Sequence, residues 1–412
     1  MVVVELSASP LRRIAALLLL LFLGWAALAL WNSVKPMPPG THVASLTSRV
    51  AESAVTFVCN CRGHPLLSQS LAAIDGAQQL ILIDNATATP ALTQHLLARK
   101  KRYPSIKIVL LTDQVGTIPG ATPGPNWVTL EQAGVIVARI RATSLRDANP
   151  LYSSLWRLGL LRRSEAASSD RRALIIADDG SGGWDSLIFS GDPFESRELA
   201  SKVGLQVHGQ LAHDILNSEL AIADWSSNDD RLPAAPSIEG GGVGSIDARF
   251  LTEGAIGYAA LDALGAAGNG DEIGIAMYEL GAPRLVDALL RAAAHGVRVR
   301  VLLDTHGKQN QATAAYLAGA MISGAGIPIS VRWHPRPCER CFSNLLFVRH
   351  RADLWISLGS ANFTRRSIDD FNLEANLELR LPARAAPAVD ALGYFDQLWQ
   401  NGLRLQDRRL PN

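Results

Sequence analysis

The chain has no surplus charge of either sign: 39 lysines and arginines stand against 38 aspartates and glutamates, a formal net charge of +1 in 412 residues. With no global field to steer it onto nucleic acid or an acidic partner, any anion site must be local. A basic stripe and an aromatic platform are also missing, aromatic residues making up 6% of the chain, so nucleic acid is not expected as a partner. Cysteine is scarce. Four in a chain of this length exclude a small disulfide-built scaffold but leave room for individual bridges. Charged residues amount to 19% against 48% hydrophobic, which excludes a mainly disordered chain and supplies a sizeable core. At roughly 150 residues per domain, the length predicts about two or three globular units.

What the chain does have begins with Ile14 to Trp31 (IAALLLLLFLGWAALALW), an uncharged apolar run of eighteen residues. At about 1.5 Å rise per residue such a helix would cover most of a ~30 Å hydrocarbon core. Arg12 and Arg13 precede it, and positive charge on that flank favours a cytoplasmic N-terminus with the body on the other side, in a bacterium the periplasm. The expectation is a single-pass inner-membrane protein with its anchor in residues 1–35. Ala27-Leu28-Ala29 also offers a cleavage site for a signal peptide; the run continuing to an interfacial Trp31 favours the retained anchor. Lys35 to Gly40 (KPMPPG) reads as a stiff spacer.

The remaining chain reads as one α/β unit written twice, in residues 36–235 and 236–412. In the second copy a helix is expected over Gly254–Gly268, a strand over Glu272–Tyr278 and a helix over Pro283–His295. A strand over Val297–Asp304 (VRVRVLLD), a helix over Asn310–Gly324 and strands over Ile329–Trp333, Asn344–Arg349, Trp355–Leu358 and Leu373–Leu381 follow, before a last helix at about Ala385–Trp399. The first copy repeats this order more weakly: Ser70–Gly76, Leu80–Asp84, Ala91–Arg102, Ile106–Asp113 (IKIVLLTD), Ala173–Ala177, Leu187–Phe189 and Val203–Val207. Arg231 to Gly244 (RLPAAPSIEGGGVG) is the natural linker. Alternating strands and helices imply helix-covered sheets, the two units being related by a pseudo-twofold axis.

Phe342 to Asp370 (FSNLLFVRHRADLWISLGSANFTRRSIDD) resembles the signature region of the phospholipase D superfamily, in which H-x-K-x-x-x-x-D is followed by a strand ending in G-S-x-N. Gly359-Ser360-Ala361-Asn362 matches the second element. The likeness spans roughly Leu66 to Asn401 and is greatest to membrane-anchored, cardiolipin-synthase-like bacterial members, whose spacer and L-R-D-x-x-P-L-Y-S-x-x-W segment look like Lys35–Gly40 and Leu145–Trp156. The resemblance implies two tandem phospholipase D-like α/β/α sandwich repeats. It also implies a chemistry in which a histidine from one repeat attacks phosphorus, the other histidine protonates the leaving alcohol, and two lysines hold the phosphate oxygens.

That set is missing. In the second motif, Phe342, Asn344 and Arg349 stand where His, Lys and Asp belong, and phenylalanine can neither attack nor carry a proton. The first motif aligns in two registers, Arg171, Ala173 and Asp178 or Asp170, Arg172 and Ala177, and its G-S-x-N reads as Ser190-Gly191-Asp192-Pro193. No histidine is supplied in either register. Cys341 and Asp170 are the candidate replacement nucleophiles, since thiolates and carboxylates both form covalent phospho-intermediates; strand alternation, however, turns Cys341 away from the side to which Phe342 points. His334 and His350 lie nearby but off register.

Arginine can hold phosphate oxygens in a bidentate fork without doing chemistry. Arg171, Arg172, Arg349, Asn344, Ser360 and Asn362 are therefore expected to line the old cleft as an anion site. The competing expectation is that these arginines only form ion pairs, with Asp178, Asp179, Asp369 or Asp370. The sequence thus points to a membrane-anchored pseudoenzyme that binds anionic phospholipid or phosphate, or scaffolds a partner. The alternative is an active phosphodiesterase or phosphatidyl transferase with an unorthodox nucleophile. Cysteines fall in two close pairs, Cys59 with Cys61 and Cys338 with Cys341. Disulfides, a structural zinc site and free thiols are all open, an oxidising compartment favouring disulfides; no other cofactor is expected.

Overall fold

The computed structural model describes residues 10–33, 45–59, 65–84, 87–113, 125–140, 170–194, 202–227, 231–236, 244–323, 327–335, 343–369 and 372–405. The two expected repeats form two sheets. The first is built from β2 (Val55–Cys59), β3 (Leu80–Asp84), β4 (Lys107–Asp113), β5 (Ile136–Ile140), β6 (Leu174–Asp178), β7 (Trp184–Phe189) and β8 (Val203–His208), in the order β2-β8-β7-β6-β3-β4-β5. The second takes β9 (Ile246–Thr252), β10 (Glu272–Met277), β11 (Arg298–Leu303), β12 (Ile329–Trp333), β13 (Leu345–His350), β14 (Asp353–Gly359) and β15 (Ala375–Pro382) in the same spatial order. In each sheet the three strands joined by crossover helices run parallel and the others antiparallel.

Both sheets are covered on both faces, which is why their central strands are apolar throughout rather than alternating. Along β3, Leu80 and Leu82 enter the core shared by the two sheets, whereas Ile81 and Ile83 pack beneath outer helices α2 (Leu66–Gly76) and α3 (Pro90–Arg102). A further outer helix, α4 (Pro125–Gln132), contributes Leu130 to that layer. The second sheet is covered in the same way by α6 (Gly254–Ala266), α7 (Pro283–Ala294) and α8 (Asn310–Ser323). The amphipathic α7 buries Leu285, Leu289 and Ala293 at helical spacing, as its sequence predicts. Between the sheets lie α5 (Gln210–Ser227), with Leu211 and Ile215, and α10 (Ala386–Asn401), with Phe395, whose ring meets Phe347 edge to face at 5.0 Å. A short helix, α9 (Arg365–Ile368), follows β14.

The sequence reading contains no β2, β5, β9, α4 or α9, and it also lacks three elements that alter the architecture. β1 (Ser45–Val50) lies within the segment assigned to the first repeat, yet it pairs antiparallel with β9 and completes an edge of the second sheet. Its sequence, SLTSRV, carries too little apolar alternation to announce a strand, because one face of an edge strand stays in solvent. A second edge is closed by β16 (Leu403–Arg404) against β12. Helix α5 was not anticipated, because the run QLAHDILNSELAIADWSS mixes apolar and charged residues on the face it buries.

The N-terminal run forms helix α1 (Pro10–Ser33) and exposes Ile14, Leu17, Leu18, Leu20, Leu21 and Phe22. The expected membrane span is not supported: among the described residues, no helix is long and apolar enough to cross a membrane.

Candidate functional site

Strand pairing settles the register that the sequence left open. Leu174 of β6 faces Ile188 of β7, and Leu345 of β13 faces Leu358 of β14. Ile81 faces Ala177 as Ile273 faces Val348. Arg171, Ala173 and Asp178 therefore correspond to Phe342, Asn344 and Arg349, and the register through Asp170, Arg172 and Ala177 is set aside. The same pairing corrects the first G-S-x-N by one residue, to Phe189-Ser190-Gly191-Asp192. Side-chain bonds agree with the correction: Ser190 Oγ accepts the N–H of Val203 at 3.0 Å, and Ser360 Oγ accepts that of Ala375 at 3.1 Å. Where the first repeat opposes Phe189 to Gly204, the second opposes Gly359 to Asn376, so each bulky residue faces its neighbour's glycine or lies beside one.

In the second repeat the motif residues are used internally. Asn344, 1% exposed and with φ +37°, donates its amide N–H to Ser360 O at 3.0 Å and accepts the N–H of Tyr278 at 3.3 Å. Both ends of the side chain that replaces the phosphate-gripping lysine are thus spent on backbone. Ser360 Oγ also donates to Glu374 at 2.7 Å. Arg349 does not join the cleft at all: it is exposed at the far end of β13, five residues beyond Asn344, or ~16 Å at strand rise. Asn362 is half-buried, with Oδ1 out of solvent and lacking a hydrogen-bond partner. Phe342, Cys341, Cys338 and Cys61 lie outside the described residues; Cys59 is disulfide-bonded.

The first repeat has turned its motif into a buried charge cluster. Arg172, expected to bind phosphate, is fully buried and donates to Glu219 of α5 at 2.7 Å and to Glu253, just after β9, at 2.9 Å. One guanidinium therefore ties the first repeat to the second. Burial alone would favour its neutral form, but Glu219, Glu253 and Asp170 hold the cation firmly charged. Glu253 adopts φ +45° and its carboxylate also accepts the N–H of Glu374 at 3.0 Å. A side-chain-bearing residue pays of order 1–3 kcal/mol for such a conformation unless its surroundings impose it.

Asp170, the candidate nucleophile, is 1% exposed; it accepts the N–H of Arg172 at 3.0 Å and its backbone bridges to Leu373 across the repeats. Its carboxyl meets that of Asp84, which also meets Glu219. Burial, followed by the charges of Asp170 and Glu219, raises Asp84 well above the usual carboxylate range. Both Asp84 oxygens and Glu219 Oε2 otherwise have no hydrogen-bond donor, and a proton on Asp84 supplies one. Carboxyl groups in contact share protons rather than ionising together.

Beside this cluster, Glu374 is buried and pushed up to about 7, chiefly by desolvation, against hydrogen bonds from Ser360, Ser367 and Asn372 and the nearby charge of Arg171. Arg171 itself is exposed, its N–H bonded to Leu373 O at 2.9 Å. Two of the acids expected to pair with these arginines are engaged elsewhere: Asp178 accepts backbone N–H groups of Gln78, Gln79, Leu80 and Gly180, and Asp369 pairs with Arg284 and Arg365. Burial depresses His334 to about 4, and His350 Nδ1 lies 2.7 Å from Asp271.

Sequence reasoning missed Asp84, Glu219, Glu253 and Glu374. Two of them carried a signal. Asp84 ends an otherwise wholly apolar strand, LILID, and Glu219 stands four residues after Ile215 and four before Ala223 on the buried stripe of α5.

Residues 261–399 match a family model described as cardiolipin synthase, PLD-like domain. Among solved structures, the chain is similar to phosphatidylserine synthase of Haemophilus influenzae Rd KW20, at 11% identity over 93% of this chain and 92% of that one, with a TM-score of 0.60. It is also similar to polyphosphate kinase from Porphyromonas gingivalis, at 12% identity over 85% of this chain and 49% of that one, with a TM-score of 0.52. At these identities the likeness is one of fold. No curated protein matches the chain.

Proposed function

Because the chain is a member of the phospholipase D superfamily, we propose that it keeps the fold of those enzymes but acts without their chemistry, as a membrane-associated protein that binds anionic phospholipid or phosphate groups or holds a partner at the membrane. One observation carries this reading. Among the described motif positions, Ala173 has no functional group and both ends of the Asn344 amide are bonded to backbone, leaving neither a nucleophile nor a lysine to grip phosphorus. Arg171, exposed at the junction of the repeats, and the amide N–H of Asn362 are the groups proposed to donate to an anion there. The exposed apolar surface of α1 is the part proposed to enter lipid, with the body periplasmic; release by alkaline carbonate would overturn that.

The test of the main reading is turnover by the full chain of a chromogenic phosphodiester, phosphatidylglycerol and cardiolipin. The expected result is no turnover above a heat-killed control. A second reading, an active phosphodiesterase, is favoured by the contact between Asp84 and Asp170, a carboxyl pair beside the motif. Turnover abolished by Asp170→Asn or Cys341→Ser would replace the first reading with the second.

A further inference from the structure

Arg349 stands at the end of β13 remote from the junction of the repeats, and what surrounds it there is a second concave surface. A pocket of about 460 Å³ is lined by Gly270, Asp271, Glu272, Gly296, Arg298, Arg349 and Arg351. Arg349 lies directly opposite Glu272, which lies directly opposite Arg298, so the three side chains share one face of the sheet. Glu272 is already engaged: one oxygen is 2.6 Å from Arg298 and the other 2.5 Å from Arg300, whose second partner is Asp396 at 2.7 Å. The remaining pocket acid, Asp271, is paired with His350.

After these pairings, Arg349 and Arg351 have no carboxylate partner among the described residues, and both are exposed. Arg351 sits in the tight turn between β13 and β14 with φ +50°, a left-handed conformation that costs a long side chain about 1–2 kcal/mol and that glycine would adopt freely. Two unmatched guanidiniums beside a third that is 65% exposed, with two glycines in the lining, form a fork for the oxygens of a phosphate group.

We infer that Arg298, Arg349 and Arg351 form a binding site for a phosphate group, separate from the junction of the repeats and independent of the function proposed above. The phosphate could belong to a free ion or monoester, or to the diester of a lipid headgroup. The recognition chemistry is shared, so the experiment separates the two.

The test is calorimetric titration of the full chain in neutral detergent with inorganic phosphate and, separately, with glycerophosphoglycerol. Saturable binding of at least one ligand is expected, weakened at least about tenfold by Arg349→Ala with Arg351→Ala. The distant Arg49→Ala, whose exposed side chain pairs with Asp247, should leave it unchanged. Preference for phosphate identifies a free phosphate or monoester site; preference for the diester identifies a headgroup site. The inference is overturned if neither ligand binds, if the double variant binds as well as the wild type, or if Arg171→Ala removes the binding. All the substituted side chains are exposed, so unchanged circular dichroism is expected and separates lost binding from lost folding.

Discussion

Asp178 and Arg349 occupy the same position in the two repeats and do opposite things. Asp178 is buried, its carboxylate accepting the N–H groups of Gln78, Gln79 and Leu80 at 2.9, 2.8 and 2.8 Å, which pins the approach to β3. Arg349 faces solvent opposite Glu272. A position that clamps backbone in one repeat carries surface charge in the other.

Substitution should therefore be asymmetric. Asp178→Ala strands several buried donors and is expected to cost about 2–4 kcal/mol, whereas Arg349→Ala should stay within about 0.5 kcal/mol. Urea unfolding of the two variants against the wild type measures both; equal costs would refute the structural role of Asp178.

Within the buried cluster, Arg172 and Asp84 should also behave differently. Arg172→Met leaves Glu219 and Glu253 without their shared cation and is expected to destabilise by about 3–5 kcal/mol. Burial and the charges of Asp170 and Glu219 favour the protonated form of Asp84, which asparagine mimics, so Asp84→Asn should cost less than about 1.5 kcal/mol. Thermal denaturation at pH 7 ranks the pair, and a larger loss for Asp84→Asn would mean that Asp84 is ionised.

Glu374 gives the fold a pH dependence. Its folded value of about 7 lies above the 4.5 of an ordinary glutamate, so the folded state binds the proton more tightly than the unfolded chain does. This contribution is fully present below about pH 4.5 and is lost as pH rises through about 7, a change of roughly 3 kcal/mol. Asp84 acts in the same direction. Glu374→Gln, which mimics the protonated form, should flatten the decline between pH 4.5 and 7. A variant with the wild-type slope would assign the titration elsewhere.

At the end of β14, Gly359 leaves no room for a side chain: a Cβ there would lie 2.1 Å from Ala375 O and 2.4 Å from Asn376 Oδ1. Gly359→Ala is expected to cost about 1–3 kcal/mol in unfolding experiments. By contrast Gly265, on α6 with open space around its Cβ position, should tolerate alanine or gain about 0.5–1 kcal/mol from it.

Much of this fold was legible because periodicity reports burial. The strand Leu80–Asp84 and the strand Ile329–Trp333 are found where their apolar runs begin and end, and α7 where its heptad-like leucines lie. β1 was illegible because its pairing, with a strand some two hundred residues on, leaves little mark on a polar edge sequence. The site was legible as a loss, from Phe342, Asn344 and Ala173, but its replacement was not. Arg172 looked like a phosphate ligand because an arginine beside a degenerate motif gives no hint that Glu219 and Glu253 converge on it from a distant helix and a distant strand. Arg349 looked like a cleft residue because motif spacing counts residues along a strand without saying which end of it faces the partner repeat.

The pairing of β1 with β9 also bears on how the protein is made. Arg49 and Asp247, joined across that pair, are separated by 198 positions, so a ribosome adding about 5–20 residues per second leaves β1 without its partner for ~10–40 s. During that interval residues 45–50 are a nascent edge with unmet hydrogen bonds. The alternation of Ser, Thr and Arg in SLTSRV, which hid the strand from its sequence, is also what keeps that waiting segment from adhering to its neighbours on the polysome.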